Sequence, residues 1–304
     1  MKKLDIANEM TVSEIALGCM RIADLSRDEA ERLIRTALDE GIDFFDHADI
    51  YGGGQSEAVF AEVLTQSPGL REKMFIQTKC AIREGYYDFS KEHILRSVDG
   101  SLKRLKTDYI DVLLLHRPDT LMEPEEVAEA FDRLHAAGKV RAFGVSNHHP
   151  MQIELLSKYL HQKLIINQLQ LSLTNTTMID AGLNVNMENA QAVNRDGGVL
   201  EYCRLKGITI QAWSPLQFGF FEGVFLDHER FPELNEKLGE MAEKNGVTKS
   251  AVAIAWILRH PARIQPIVGT TNPARLRDIC RASQVSLTRK EWYDLYKAAG
   301  KTLP

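Results

Sequence analysis

The sequence predicts an α/β fold, a (β/α)8 TIM barrel with extra helices and long loops at its C-terminal face. Three observations lead there: eight short apolar runs rich in β-branched and aromatic residues, amphipathic segments between them, and no glycine fingerprint of an open dinucleotide-binding sheet. The runs lie at residues 15–18, 43–46, 74–79, 109–116, 140–146, 164–170, 208–214 and 264–269. Eight buried strands alternating with helices fit a closed barrel or a doubly wound sheet. The open sheet calls for GxGxxG after its first strand, but residues 18–21 read Gly-Cys-Met-Arg, and the GGG of Gly52 to Gly54 lacks the spacing.

The helical segments have readable ends. Residues 26–40 begin on Ser26 as N-cap with Glu29 three positions on, and Gly41 follows. Further segments cover 55–65, 90–105, 124–137 with Pro124 at the start and Gly138 after, 150–160 and 198–206. Two polar or aromatic-rich stretches, 172–196 and 217–231, exceed a minimal barrel and follow strands, which makes them long loops over the C-terminal face. Helices at 232–244 and 248–259 precede the last strand, 273–283 is the last barrel helix, and 288–299 follows it. No linker, charge run or repeat divides the chain, so residues 1–304 are expected to form one domain.

Composition narrows the function classes. With 37 basic and 42 acidic residues and a net charge of −5, the chain has no basic run to hold nucleic acid. Asp5 and Glu9 stand where a leader would be apolar, and no segment approaches twenty apolar residues, so a soluble, cytoplasmic protein without a membrane partner is expected. Cys19, Cys80, Cys203 and Cys280 are far apart, which suggests neither disulfides nor a zinc site, and no metal is expected. Oligomeric state has no signal in the sequence.

In such a barrel, polar residues at the C-terminal strand ends face the active site. Asp46, Lys79, His116, Ser146, Asn147, Gln168, Gln170, Trp213 and Ser214 stand at those ends. A tyrosine is a weak acid at neutral pH; a neighbouring ammonium lowers its pKa, and a carboxylate holds that ammonium charged and oriented. Tyr51, Lys79 and Asp46 are the types such a relay needs, and His116 could orient a substrate carbonyl. At the last strand, Asn272 as N-cap and Pro273 at the first helical position suggest a helix start with free backbone donors, an anion site with Arg275 in its first turn.

The stretch GIDFFDHADIYGGGQSE resembles the signature of the aldo-keto reductases, and Lys79 in FIQTK and His116 in LLLHRPD match the other two members of that family's tetrad. The similarity continues through GKVRAFGVSN, NQLQLS, WSPL and IVGTTNPARL, and HRPD is most similar to a bacterial branch. The resemblance implies an NADP-dependent oxidoreductase that reduces aldehyde or ketone carbonyls by hydride transfer from NADPH, with Asp46, Tyr51, Lys79 and His116 catalytic and a small-molecule carbonyl compound as substrate. It further implies that Ser146, Asn147 and Gln168 hold the nicotinamide carboxamide and that Trp213 stacks on the ring. Ser214, Pro215, Leu216, Gln217 and Gly219 would then wrap the pyrophosphate, and Arg275 would take the 2′-phosphate. Gly18, Met20, Arg21, Gly269, Thr270, Thr271 and Asp278 complete the implied cofactor contacts, together with Asp46. Two positions depart from the pattern: Gly269-Thr270 where many members carry Lys-Ser, and Ile279 in place of a common Asn. The alternative is an NADP-binding regulatory subunit of the same fold without physiological turnover.

Overall fold

The computed structural model describes residues 1–304. Eight strands, β1 (Ala16–Gly18), β2 (Phe44–Asp46), β3 (Phe75–Cys80), β4 (Ile110–Leu115), β5 (Val140–Ser146), β6 (Leu164–Gln170), β7 (Thr209–Trp213) and β8 (Gln265–Val268), close into a barrel. Each pairs in parallel with its neighbour in sequence, and β8 returns to β1 through Ile267↔Ala16 and Val268↔Leu17. All eight expected strands are present: Val140–Ser146 and Leu164–Gln170 have the expected bounds, Phe75–Cys80 is shifted by one residue, and the other five are trimmed by one or two residues. His116, Ser214 and Gly269 fall just past strand ends, where the backbone leaves the ladder.

Helices cover the outside, and their ends follow the local chemistry. Helix Arg27–Asp39 carries the capping box between Ser26 and Glu29, and it buries Ala30, Leu33, Ile34 and Ala37 against the barrel. Helix Lys249–Leu258 buries every side chain from Ser250 to Ile257 because other helices cover its outer face. Its Trp256 stacks on Trp292 of helix Arg289–Ala298, with ring centroids 4.7 Å apart, and each indole donates to the other's backbone carbonyl at 3.0 Å.

Three hairpins, one short α-helix and several 3-10 segments were not expected. Strands Lys3–Ile6 and Met10–Ser13 form an antiparallel hairpin whose Leu4, Ile6 and Val12 pack with Phe44, Val112 and Ile165, closing the end of the barrel opposite the strand C-termini. Two shorter hairpins join Ile82–Arg83 to Tyr86–Tyr87 and Gln217–Phe218 to Gly223–Val224. Helix Thr177–Leu183 lies within the first long loop. No helix is long and apolar enough to cross a membrane.

One ion pair ties three elements together beneath the second strand's loop. Glu57, fully buried on helix Gln55–Gln66, accepts from Thr78 Oγ1 of β3 at 2.6 Å and from Arg104 Nε of helix Lys91–Leu105 at 2.7 Å. Glu57→Ala should therefore cost about 3 kcal/mol, toward the low end for unpairing a buried charge because Arg104 keeps some contact with solvent. Urea unfolding should register this as a lower midpoint with an unchanged slope.

Candidate active site

Asp46 is the last residue of β2, and the chain then turns through Tyr51 at the start of a short 3-10 segment, Tyr51–Gly54. Gly52, Gly53 and Gly54 all have positive φ, and a Cβ on Gly52 would stand 2.6 Å from the Ala23 side chain. The glycine run thus folds the loop tightly behind Tyr51. Lys79, next to last in β3, is fully buried, and its Nζ lies 2.8 Å from either oxygen of Asp46, with hydrogen-bond geometry to Oδ2. The same ammonium donates to the His47 carbonyl at 2.8 Å and to the Tyr51 hydroxyl at 3.0 Å. All three donors of the ammonium are used.

His116 meets Tyr51 edge-on, with ring centroids 6.0 Å apart, so the fold brings the four expected residues together. Burial alone would lower the Lys79 pKa, but the Asp46 carboxylate and the Tyr51 hydroxyl outweigh it and hold the ammonium above its usual range. Burial pushes the Tyr51 phenol up; Lys79 opposes the rise and Asp46 adds to it. The expected lowering by Lys79 is present but is exceeded by desolvation. Burial, with Lys79 and Arg117 nearby, pushes His116 well below the usual histidine range. A neutral imidazole, with one N–H, therefore stands beside Tyr51.

One cavity of about 1050 Å3 opens along the C-terminal rim. Asp46, Tyr51 and His116 line it near the barrel axis, and Gly18, Met20 and Arg21 line it past β1. Ser146, Asn147, Gln168, Trp213, Ser214, Pro215, Leu216 and Gln217 form the next stretch of wall, and Gly269, Thr270, Arg275 and Asp278 the far part. Lys79 sits behind this wall, reached only through Tyr51 and Asp46.

Two expected cofactor contacts are outside the lining. The Gly219 carbonyl is drawn to Gln170 Nε2 of β6 at 2.7 Å, and Thr271 lies within a turn closed by Asn272 N–H on Thr270 Oγ1 at 3.2 Å. The expected free donors at the helix start are also corrected. The Asn272 side chain accepts from the Ala274 and Arg275 N–H groups at 2.9 and 3.1 Å, and Pro273 has none. The Arg275 side chain itself makes no ion pair and is exposed to the cavity.

The polar wall is already cross-linked. Ser146 Oγ donates to the Gln168 carbonyl at 3.0 Å, Asn147 Nδ2 donates to Ser146 Oγ at 2.7 Å, and Trp213 Nε1 donates to Asn147 Oδ1 at 3.0 Å. Asn147 and Ser214 hold left-handed backbones with φ of 60° and 51°, a strain that turns the chain sharply out of β5 and β7. Sequence reasoning missed Arg117 and Phe221. Arg117 lies over the Trp213 ring at 5.8 Å, and Phe221 stacks on that ring with centroids 5.9 Å apart. Arg117's place beside His116 was the available signal; Phe221 had only the aromatic richness of its loop. No group of three or more His, Cys, Asp or Glu side chains is arranged to hold a metal ion.

Comparison with known proteins agrees with this architecture. The profile of the Aldo/keto reductase family matches residues 14–299. An uncharacterized oxidoreductase, YcsN, of Bacillus subtilis is 39% identical, and a 6-dehydroglucose reductase of Agrobacterium fabrum is 37% identical, each over 98% of both chains. The crystal structure of the thermostable aldo-keto reductase Tm1743, with the inhibitor epalrestat, superposes with a TM-score of 0.78 at 25% identity, covering 98% of this chain and 100% of that one. Agreement along the whole length, rather than at one motif, makes the chain a member of the aldo/keto reductase family of oxidoreductases.

Proposed function

We propose that the protein reduces an aldehyde or ketone with NADPH and that Tyr51 supplies the proton. The observation that carries this reading is the Lys79 ammonium, which from behind the cavity wall bridges two wall residues, the Asp46 carboxylate and the Tyr51 hydroxyl, in a cavity that also reaches Arg275. A nicotinamide cofactor in its reduced form supplies a hydride to the carbonyl carbon. The residues present fit such a group. Gln168 lines the cavity with an Oε1 that accepts no hydrogen bond from the protein, which suits a carboxamide N–H, and Arg275 offers a guanidinium with no carboxylate partner, which suits the 2′-phosphate. Ser146 and Asn147 would complete the carboxamide site, Trp213 the ring face, and Ser214 to Gln217 the pyrophosphate side.

The neutral His116 donates its N–H to the substrate oxygen and orients it beside the Tyr51 hydroxyl. As negative charge develops on that oxygen, the Tyr51 O–H bond breaks and its proton passes across. The phenolate left behind is stabilised by the Lys79 ammonium, which already touches it, and Asp46 keeps that ammonium from drifting away. Sugar aldehydes belong in the substrate panel, since a relative of 37% identity is named for a dehydroglucose.

Two outcomes test the reading. Tyr51→Phe should keep the fold and NADPH binding, measured by nucleotide fluorescence, while carbonyl reduction falls by about 10²- to 10⁴-fold; turnover at the parent rate would remove Tyr51 as the donor. Arg275→Ala should raise the Kd for NADPH roughly tenfold, the loss of one hydrogen bond to a charged group, and leave NADH unaffected. An equal loss for both nucleotides would separate Arg275 from the 2′-phosphate.

A further inference from the structure

Four buried glutamines cross the barrel interior beneath Asp46. Gln77, Gln168, Gln211 and Gln265 stand on β3, β6, β7 and β8, and the register sets Asp46 beside Gln77, Gln168 beside Gln211, and Gln211 beside Gln265. Barrel interiors are ordinarily filled with branched apolar side chains. A buried amide costs free energy unless it is hydrogen-bonded, so four in one layer need a reason.

Their bonds form one directed array. Gln77 Nε2 donates to Asp46 Oδ1 at 2.5 Å and to Gln211 Oε1 at 2.8 Å; from the other side Gln168 Nε2 donates to the same two atoms at 3.0 and 2.9 Å. Gln211 Nε2 then donates to Gln265 Oε1 at 2.9 Å, and Gln265 Nε2 to the Ser13 carbonyl at 2.7 Å. The carboxylate at one end and the carbonyl at the other can only accept, which fixes the orientation of every amide between them. Gln77 Oε1 is left buried with no partner, so this side chain is held by what its NH2 does.

We propose that Gln77 and Gln211 are positioning residues: through the paired amides of Gln77 and Gln168 they hold the Asp46 carboxylate against Lys79 and so govern how readily Tyr51 gives up its proton. This rests on the reading of Tyr51 as the proton donor. Gln77 and Gln211 do not line the cavity, so neither acts by touching cofactor or substrate. Gln168 is the branch point, since it both donates to Asp46 and lines the cavity.

The array makes a pH-dependent prediction. The titratable groups around Asp46 are Lys79 on β3, Tyr51 in the following loop and the Cys19 thiol past β1, with His47 next in sequence and His116 facing Tyr51 from the end of β4. The carboxylate raises both Tyr51 and Lys79, because an anion disfavours the phenolate and favours the ammonium. Once the carboxylate is no longer held in place, both groups lose their protons at lower pH.

The experiment is an alkaline titration of tyrosinate absorbance in the cofactor-free protein. Tyr51 is isolated from the other seven of the eight tyrosines by subtracting the curve of the same protein carrying Tyr51→Phe. In Gln77→Met and in Gln211→Met the Tyr51 step should move down by about one pH unit. The Kd for NADPH should hold in Gln77→Met but rise several-fold in Gln211→Met, which also releases Gln168; a merely structural role would not divide the two in this way. A Tyr51 step that stays in place or moves up in Gln77→Met overturns the proposal whatever happens to the rate, and Gln77→Met decides the matter alone if Gln211→Met does not fold. Because the titration uses neither substrate nor cofactor, it is decided separately from the reductase reading, which fails instead if the parent protein reduces no carbonyl or if Tyr51→Phe turns over at the parent rate.

Discussion

A lysine ammonium with no exposure to water has to be neutralised where it stands, and that constraint organises the C-terminal half of the barrel. Burying the charge of Lys79 costs several kcal/mol, by order of magnitude, unless a carboxylate and further acceptors replace the lost water. Asp46, the His47 carbonyl and the Tyr51 hydroxyl fill that role, so β2, its loop and β3 have one workable arrangement. The glycines after Tyr51 and the Glu57 ion pair beneath the loop serve the same geometry, because the tyrosine has to return over the lysine within five residues of Asp46. The demand continues inward, where the acceptors of Asp46 are matched by amide donors from strands on both sides of the barrel.

Much of the barrel was legible because strand and helix periods differ and the ends carry chemistry. The run YIDVLLLH is buried from Ile110 to Leu115, as a parallel stave must be, and Ser26 with Glu29 marks a helix start that folds as written. The N-terminal hairpin was not legible. Its apolar positions, Leu4, Ile6 and Val12, are too few and too short in period to stand out, and they gain meaning only from the open barrel end that they cover.

The site divides in the same way. Asp46, Tyr51, Lys79 and His116 could be named because each stands at or just past a strand end and is of the right chemical type. The glutamine array could not, since Gln77, Gln211 and Gln265 read as isolated polar residues until barrel closure brings β3 opposite β7. The free donors expected at the Pro273 helix start are absent for a local reason: the residue that marked the helix start, Asn272, uses its own side chain on the N–H groups that were to be free. Capping and anion binding compete for the same N–H groups, and the Arg275 side chain is left without an ion-pair partner beside the cavity.

The central claim is that the buried ammonium, rather than the barrel as such, gives Tyr51 its acidity in the transition state. It is tested most directly by single-turnover reduction of a simple aldehyde by Lys79→Met preloaded with NADPH. Methionine fills the lysine's space without its charge, Asp46 retains its amide donors, and the cavity wall is unchanged. The account predicts a folded protein that binds NADPH as the parent does and transfers hydride about 10²- to 10⁴-fold more slowly. Hydride transfer at the parent rate in that variant would contradict it.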